Sequence, residues 1–165
     1  MQAKGAQILR GALLILIAAV LSGIYGCGKD EIQLPDKELQ GTIDGESWEY
    51  GSANAYLETA NLQYQARFLS DEESVSDPCT LPRPGLRHVK AIFKPAVRSY
   101  TISPLAIDDN QVQVAFELSS SKTLIAGGGF MEVFDINNRV VFGYLQAILD
   151  DGNTVEGRFR IRLCN

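Results

Sequence analysis

Apolar and polar residues alternate along most of this chain, and the alternation restricts its fold more than any other feature. Val112, Val114, Phe116 and Leu118 alternate with residues that are mostly polar. Successive side chains of a β-strand point to opposite faces of the sheet, so a period of two is typical of a half-buried strand. No window longer than about ten residues shows a helical period. The sequence therefore predicts an all-β domain.

Nine stretches of this kind are predicted strands, separated by segments rich in turn-forming residues. They span residues 39–44, 47–58, 62–70, 86–94, 97–102, 111–119, 122–136, 139–149 and 154–163. Short strands at this spacing favour an antiparallel β-sandwich or a partly open barrel of about 8–9 strands. The pattern leaves the choice between sandwich and barrel open.

The C-terminal third predicts a three-stranded meander. Asn137-Asn138 and Asp151-Gly152 suit two-residue hairpin turns, whose backbone needs positive φ angles. With two such loops, one face of the meander carries the apolar residues Met131, Val133, Phe142, Tyr144, Ile148, Val155, Phe159, Ile161 and Leu163.

The same register places three arginines on the opposite face of the meander. Arg158, Arg160 and Arg162 then lie opposite Leu145, Gly143 and Val141. A bulge at the second turn would instead set the arginines against Tyr144 and Phe142, because a slip of one residue reverses the face of every side chain. We favour the first register.

These arginines are the main candidates for ligand binding. They recur at every second residue from Arg158 to Arg162, a span of about 14 Å at the rise of a strand. Such a stripe suits a sulfated or carboxylated glycan, and a solvated strand face is the alternative. Tyr144 and Phe142 complete the candidate ligand contacts.

The sequence offers little for catalysis. Its one histidine, His88, is expected to face solvent on a strand, and no nucleophile-elbow motif surrounds a serine. The acidic pairs Asp108-Asp109 and Asp150-Asp151 stand beside Asn and Gly, which are residues that turns use. We therefore predict no catalytic residue, no metal site and no cofactor. A hydrolase built on two carboxylates is the less favoured alternative.

The N-terminal segment carries the pattern of an export signal. Lys4 and Arg10 form a positive flank, and residues 11–28 are an uncharged, mostly apolar run. The run ends with an aliphatic residue at position −3, a small one at −1 and then a cysteine, in the sequence Ile24-Tyr25-Gly26-Cys27. This arrangement resembles the lipobox of bacterial lipoproteins.

That resemblance implies a signal peptide over residues 1–26, cleavage between Gly26 and Cys27, and acylation of the Cys27 sulfur. A secretory signal without lipidation and a retained membrane anchor are the alternatives. All three export the rest of the chain. The lipoprotein interpretation also implies that the protein is located at the outer membrane, where lipid would anchor it on the periplasmic face or at the cell surface.

Cleavage would leave 139 residues, enough for a single domain over residues 39–165 behind a tether over residues 27–38. It would remove two positive charges and move the formal net charge from −5 to −7. Nucleic acid is therefore not an expected partner, because its phosphates require a basic protein face.

The cleaved chain keeps a pair of cysteines, Cys79 and Cys164. In an exported protein such a pair is expected to form a disulfide, with two free thiols as the alternative. The two residues are 85 positions apart, and closing a loop of that length would stabilise the fold by roughly 4–5 kcal/mol in the chain-entropy model.

Both ends of the β domain carry further motifs. An Asp44-Gly45 turn precedes Trp48, and an Asp151-Gly152-Asn153 turn precedes Gly157-Arg158-Phe159. Together they resemble small lipid-anchored β domains of Bacteroidota-type bacteria. This resemblance implies a fold class and no activity.

The sequence thus favours a lipid-anchored envelope protein that binds a glycan or a protein without catalysis. A structural or accessory lipoprotein of an envelope assembly is the alternative.

Cells that produce the protein should incorporate radioactive palmitate into it through Cys27. The Cys27→Ser variant should carry no label, because it lacks the thiol that would be acylated. Immunoprecipitation and autoradiography of both forms measure this. An unlabelled wild-type protein would contradict the lipoprotein prediction.

Overall fold

The strands of this protein begin and end at the segments that interrupt its alternating pattern. The computed structural model describes residues 34–58, 60, 62–70, 77, 79, 87–119, 121–150 and 152–164. The predicted signal peptide, Gly26, Cys27 and the tether as far as residue 33 lie outside the described residues. Most of the acidic, proline-rich segment 71–85 also lies outside them.

Every predicted strand is present. The strands are β1 (Gln40–Ile43), β2 (Glu46–Glu58), β3 (Gln63–Ser70), β4 (His88–Phe93), β5 (Arg98–Ile102), β6 (Gln111–Ser119), β7 (Lys122–Ile125), β8 (Gly128–Asn137), β9 (Val140–Asp150) and β10 (Asn153–Cys164). The predicted strand 122–136 is divided into β7 and β8, because the chain changes partner at residues 126–127. The Ala126 N–H group donates to the Val114 carbonyl of β6, and the Gly127 N–H group donates to the Ile148 carbonyl of β9. Within the described ranges, no helix has the length and apolar character needed to cross a membrane.

The strands form one sheet that closes into a barrel. Their order is β4-β3-β2-β1-β10-β9-β8-β5-β6-β7, and pairing of β4 with β6 closes nine of them into a ring. The all-β prediction is confirmed, with a partly open barrel as the architecture. The sheet is not antiparallel throughout, because β5 pairs with β6 and β2 with β10 in parallel.

The hairpin turns lie at or within one residue of the positions predicted from the sequence. Asp44 and Gly45 connect β1 to β2 with φ angles of 56° and 76°, as an Asp-Gly turn requires. The β8–β9 turn is formed by Asn138 and Arg139, with φ angles of 49° and 65°, one residue later than predicted. The β9–β10 turn follows Asp150 and ends before Asn153, as predicted, but a bulge in β9 follows it immediately.

The favoured register of the meander was therefore wrong. Arg158 lies opposite Tyr144 and Arg160 opposite Phe142, as in the alternative register with a bulge. The bulge shifts β9 by one residue against β10. This shift turns Val141, Leu145 and Ala147 into the barrel and leaves Phe142 and Ile148 exposed at its surface. Tyr144 also moves to the outer face, where it is buried by other contacts.

The packing of Phe159 explains the observed register. Phe159 lies directly opposite Gly143 inside the barrel, and a Cβ on Gly143 would come within 2.5 Å of the phenyl ring. Phe159 also packs edge-on against Phe68, with ring centroids 5.3 Å apart. The ring fits only over a residue without a side chain, so the bulge that aligns Phe159 with Gly143 is favoured.

Cys79 and Cys164 lie at disulfide distance, with their Cα atoms 5.7 Å apart. The main chain at Cys79 is held on both sides, because Asp77 accepts a hydrogen bond from its N–H group and the Tyr56 hydroxyl donates to its carbonyl. The pair joins the segment after β3 to the end of β10, as the sequence predicted.

Substitution of Gly143 by alanine should destabilise the protein by about 1–3 kcal/mol, as overpacked cores usually do. The new Cβ would clash with the Phe159 ring and with the carbonyl oxygen of Glu132, 2.2 Å away. Gly128→Ala is the matched control, because a Cβ on Gly128 meets nothing within 4 Å. Urea unfolding of both variants measures the difference. Equal stability of the two variants would contradict the packing argument.

Candidate binding groove

A groove opens in the barrel wall between β2 and β10. At one end of these strands β1 lies between them, and at the other they pair directly through Arg162–Cys164 and Asn54–Tyr56. The change of partner leaves an open groove of about 870 Å³. It is lined by Asp36, Lys37, Glu38, Tyr50, Gly51, Ser52, Ala53, Asp77, Cys79, Val140, Arg158, Phe159, Arg160 and Arg162.

The three arginines predicted from the alternation of β10 lie together along this groove. Arg158, Arg160 and Arg162 are all exposed, and they alternate with Phe159 and Ile161, which point into the core. Inward apolar residues therefore fix the outward direction of the guanidinium groups. The stripe is a local positive surface on a chain of formal charge −5.

Residues 36–39, which we call the strap, lie against one end of the stripe. The Arg158 N–H group donates to the Lys37 carbonyl at 2.8 Å, and the Leu39 N–H group donates to the Arg158 carbonyl at 2.9 Å. Glu38 forms a parallel bridge with Arg158. These bonds add the last residues of the predicted tether to the sheet.

The strap reaches β10 because Gly157 has no side chain. A Cβ on Gly157 would lie 2.3 Å from the carbonyl oxygen of Glu38 and 2.6 Å from the Cα of Leu39. The residue also has a φ of 146°, which residues with side chains rarely adopt. Gly157 is therefore required for the strap to pack.

The strap forms an ion pair with Arg158 but with neither of the other two arginines. The Arg158 Nε lies 3.1 Å from a carboxylate oxygen of Asp36, and its guanidinium stands 5.8 Å from the centre of the Phe134 ring. Within the part of the chain that the structure describes, neither Arg160 nor Arg162 forms an ion pair. Two exposed guanidinium groups thus remain available on the groove wall.

The two predicted aromatic contacts differ in accessibility. Phe142 lies opposite Arg160 on the outer face, and 38% of its surface is exposed. Tyr144 lies opposite Arg158 but is only 1% exposed, and its ring stacks on Phe130 with centroids 5.9 Å apart. Phe142 can meet a ligand beside the arginines, whereas Tyr144 serves the packing of the outer face.

Tyr144 belongs to a short polar chain that ends on the strap. Its hydroxyl donates to one carboxylate oxygen of Glu156, and the Lys37 ammonium lies 3.1 Å from the other. The hydrogen bond from Tyr144, aided by Lys37, holds the pKa of Glu156 below its ordinary value. Burial, together with the nearby carboxylate, raises the pKa of Tyr144.

Tyr50 bridges the opening between β2 and β10. Its hydroxyl donates to the Arg160 carbonyl at 2.6 Å, and its ring packs edge-on against Phe68, with centroids 6.5 Å apart. Burial raises the pKa of Tyr50. No sequence pattern indicated that Tyr50 and Asp36 would contact β10 or that Gly157 would contact the strap, because each of these contacts joins positions more than a hundred residues apart.

One residue of each acidic pair, Asp108 and Asp150, acts as a turn residue, as predicted. Asp108 accepts a hydrogen bond from the Asn110 N–H group at 2.8 Å, and Asp150 accepts one from the Gly152 N–H group at 3.0 Å. Asp109 pairs with Lys94 at 2.6 Å, and this bond lowers its pKa. Among the described residues, no three His, Cys, Asp or Glu side chains cluster as metal ligands would.

The fold and the groove together define an all-β barrel with a groove lined on one side by a row of three arginines. Comparison of the chain with protein-family models, with curated proteins and with solved structures finds no match.

The bond between Tyr144 and Glu156 should make stability depend on pH in the acidic range. The folded-state pKa of Glu156 lies below the ordinary 4.5, so its contribution is full above that value and is lost as pH falls through the folded pKa. The stability difference between the wild type and Glu156→Gln should therefore be constant near neutral pH and shrink on acidification.

Urea unfolding across this range measures the difference. Glu49→Gln, which alters an exposed glutamate on β2, is the matched control, and its difference from the wild type should not shrink in the same way. A Glu156→Gln difference that stays constant down to the lowest pH would contradict the role given to this bond.

Proposed function

We propose that this protein is a lipid-anchored binding module of the bacterial envelope, and that its groove holds an anionic ligand without catalysis. The observation that carries the proposal is the pair Arg160 and Arg162. Both are exposed on the groove wall, and neither forms an ion pair with a described residue.

The chemistry of arginine favours an anionic ligand of defined geometry. A guanidinium group presents several N–H donors in a planar fork, which matches a carboxylate or a sulfate through two parallel hydrogen bonds. Arg160 and Arg162 are two residues apart on β10, so their Cα atoms lie about 7 Å apart and their side chains leave the same face of the strand. Binding should weaken at high salt, because both groups are exposed.

Phe142 supports the same function from the neighbouring strand. Its ring is partly exposed directly opposite Arg160, so a ligand on the arginines would also cover apolar surface. A cationic row beside an exposed aromatic side chain is a common composition for a recognition surface. This composition favours a binding role over a merely solvated strand face.

The N-terminal sequence supports the envelope as the location. The lipobox-like motif ends at Cys27, and the strap begins nine residues later at Asp36. An extended chain of nine residues reaches at most about 32 Å. A ligand held in the groove of an acylated protein would therefore lie close to the membrane surface.

The accessory-protein alternative is less well supported. It calls for a long exposed strand edge or a flat apolar face on which an assembly could be built. Closure of the ring leaves β7 as the terminal strand of the described sheet, and β7 has only four residues.

A labelled dextran sulfate should bind the full-length protein in detergent micelles, and uncharged dextran should not. Arg160→Gln/Arg162→Gln should weaken binding by about a hundredfold or more, because it removes two hydrogen bonds to a charged group, each worth about 1.5–3 kcal/mol. Fluorescence anisotropy at low and high salt measures both effects.

Lys94→Gln/Lys122→Gln is the matched control. It removes the same charge from exposed positions outside the groove, where the lysines pair with Asp109 and Asp44. An equal loss of affinity in the two double variants would show that the overall charge governs binding, and the proposed site would be wrong.

A further inference from the structure

The groove already holds one segment of the chain that carries acidic side chains, the strap. The strap runs parallel to β10 at Arg158, and its two acidic residues, Asp36 and Glu38, stand at alternate positions. Asp36 pairs with Arg158 at 3.1 Å, and both acidic residues line the groove. The strap shows which kind of chain this surface accepts.

The spacing of the remaining arginines fits the same kind of chain. Successive residues of a strand rise 3.2–3.4 Å, so alternate side chains on one face lie about 7 Å apart. Arg160 and Arg162 have this spacing on β10, and alternate carboxylates of an extended peptide have it too. An extended acidic peptide can therefore place one carboxylate on each arginine without changing its conformation.

Phe142 adds a contact that suits glutamate in particular. Its exposed ring lies opposite Arg160, on the neighbouring strand. A glutamate whose carboxylate meets Arg160 carries two methylene groups, which can pack on such a ring. The site thus combines charge complementarity with a small apolar contact.

We propose that the partner of this groove is an extended acidic segment of another protein, with carboxylates at alternate positions that bind Arg160 and Arg162. The inference rests on the proposed function, because it names the ligand class for the same groove. In this arrangement Asp36 of the strap supplies the carboxylate for Arg158, and the partner supplies those for Arg160 and Arg162.

Two six-residue peptides of identical composition test this inference against the full-length protein in detergent micelles. One, the alternating peptide, has two glutamates separated by a single threonine, and the other, the block peptide, has its two glutamates at adjacent positions, where the side chains of an extended chain point to opposite faces. The other four residues of each peptide are threonines. The alternating peptide should bind about tenfold more tightly, because only it can satisfy both arginines at once. Fluorescence anisotropy of labelled peptides measures the two affinities.

The variants described above locate the effect. Arg160→Gln/Arg162→Gln should weaken both peptides to the same affinity, and Lys94→Gln/Lys122→Gln should leave the preference for the alternating peptide unchanged. Both arginines are exposed, so the first variant should keep the urea midpoint of the wild type. Equal binding of the two peptides to the wild type would overturn the inference.

A glycan of matched charge separates this inference from the proposed function. If an oligogalacturonate with two carboxylates binds more tightly than the alternating peptide, and loses affinity in the arginine variant, the peptide inference fails while an anionic ligand for the groove stands. If neither the peptides nor dextran sulfate bind, both proposals fail.

Discussion

The rest of the structure depends on the pairing of β10 with different neighbours on its two sides. On one side β10 follows β9 along nearly its whole length, and on the other it meets β1, the strap and β2 in turn. Each of these three partners pairs with β10 over only one to three residues, so the hydrogen bonds on this side do not form one continuous line. The groove opens where these partners change, so the candidate site is a consequence of how the barrel closes.

Most of the fold could be predicted, because strands are local patterns. The alternation in β6 and the Asp44-Gly45 turn each depend on a few adjacent residues, and both form where the sequence places them. The division between β7 and β8 was missed, because residues 122–136 are apolar enough to extend through Ala126 and Gly127. Barrel closure was left open, because it depends on the pairing of β4 with β6, which no local pattern encodes.

The candidate site was predicted in part. The outward direction of Arg158, Arg160 and Arg162 followed from alternation with inward apolar residues, which is unaffected by a slip in register. Their cross-strand neighbours did not follow, because a one-residue bulge reverses the partner strand, and here the fit of Phe159 over Gly143 decides the bulge. Residues 36–38 of the strap were assigned to a tether, because the bonds that join the strap to Arg158 link residues that are far apart in sequence.

The strap also determines where a mechanical load would enter the domain. Tension applied through the N-terminal chain passes Asp36 and Lys37 before it reaches any strand of the barrel. The backbone hydrogen bonds that join Lys37 and Leu39 to Arg158 would therefore bear the force first. Both bonds involve Arg158, the first residue of the arginine stripe. A pull strong enough to detach the strap would therefore also separate Asp36 from Arg158 and add a third unpaired guanidinium group to the stripe.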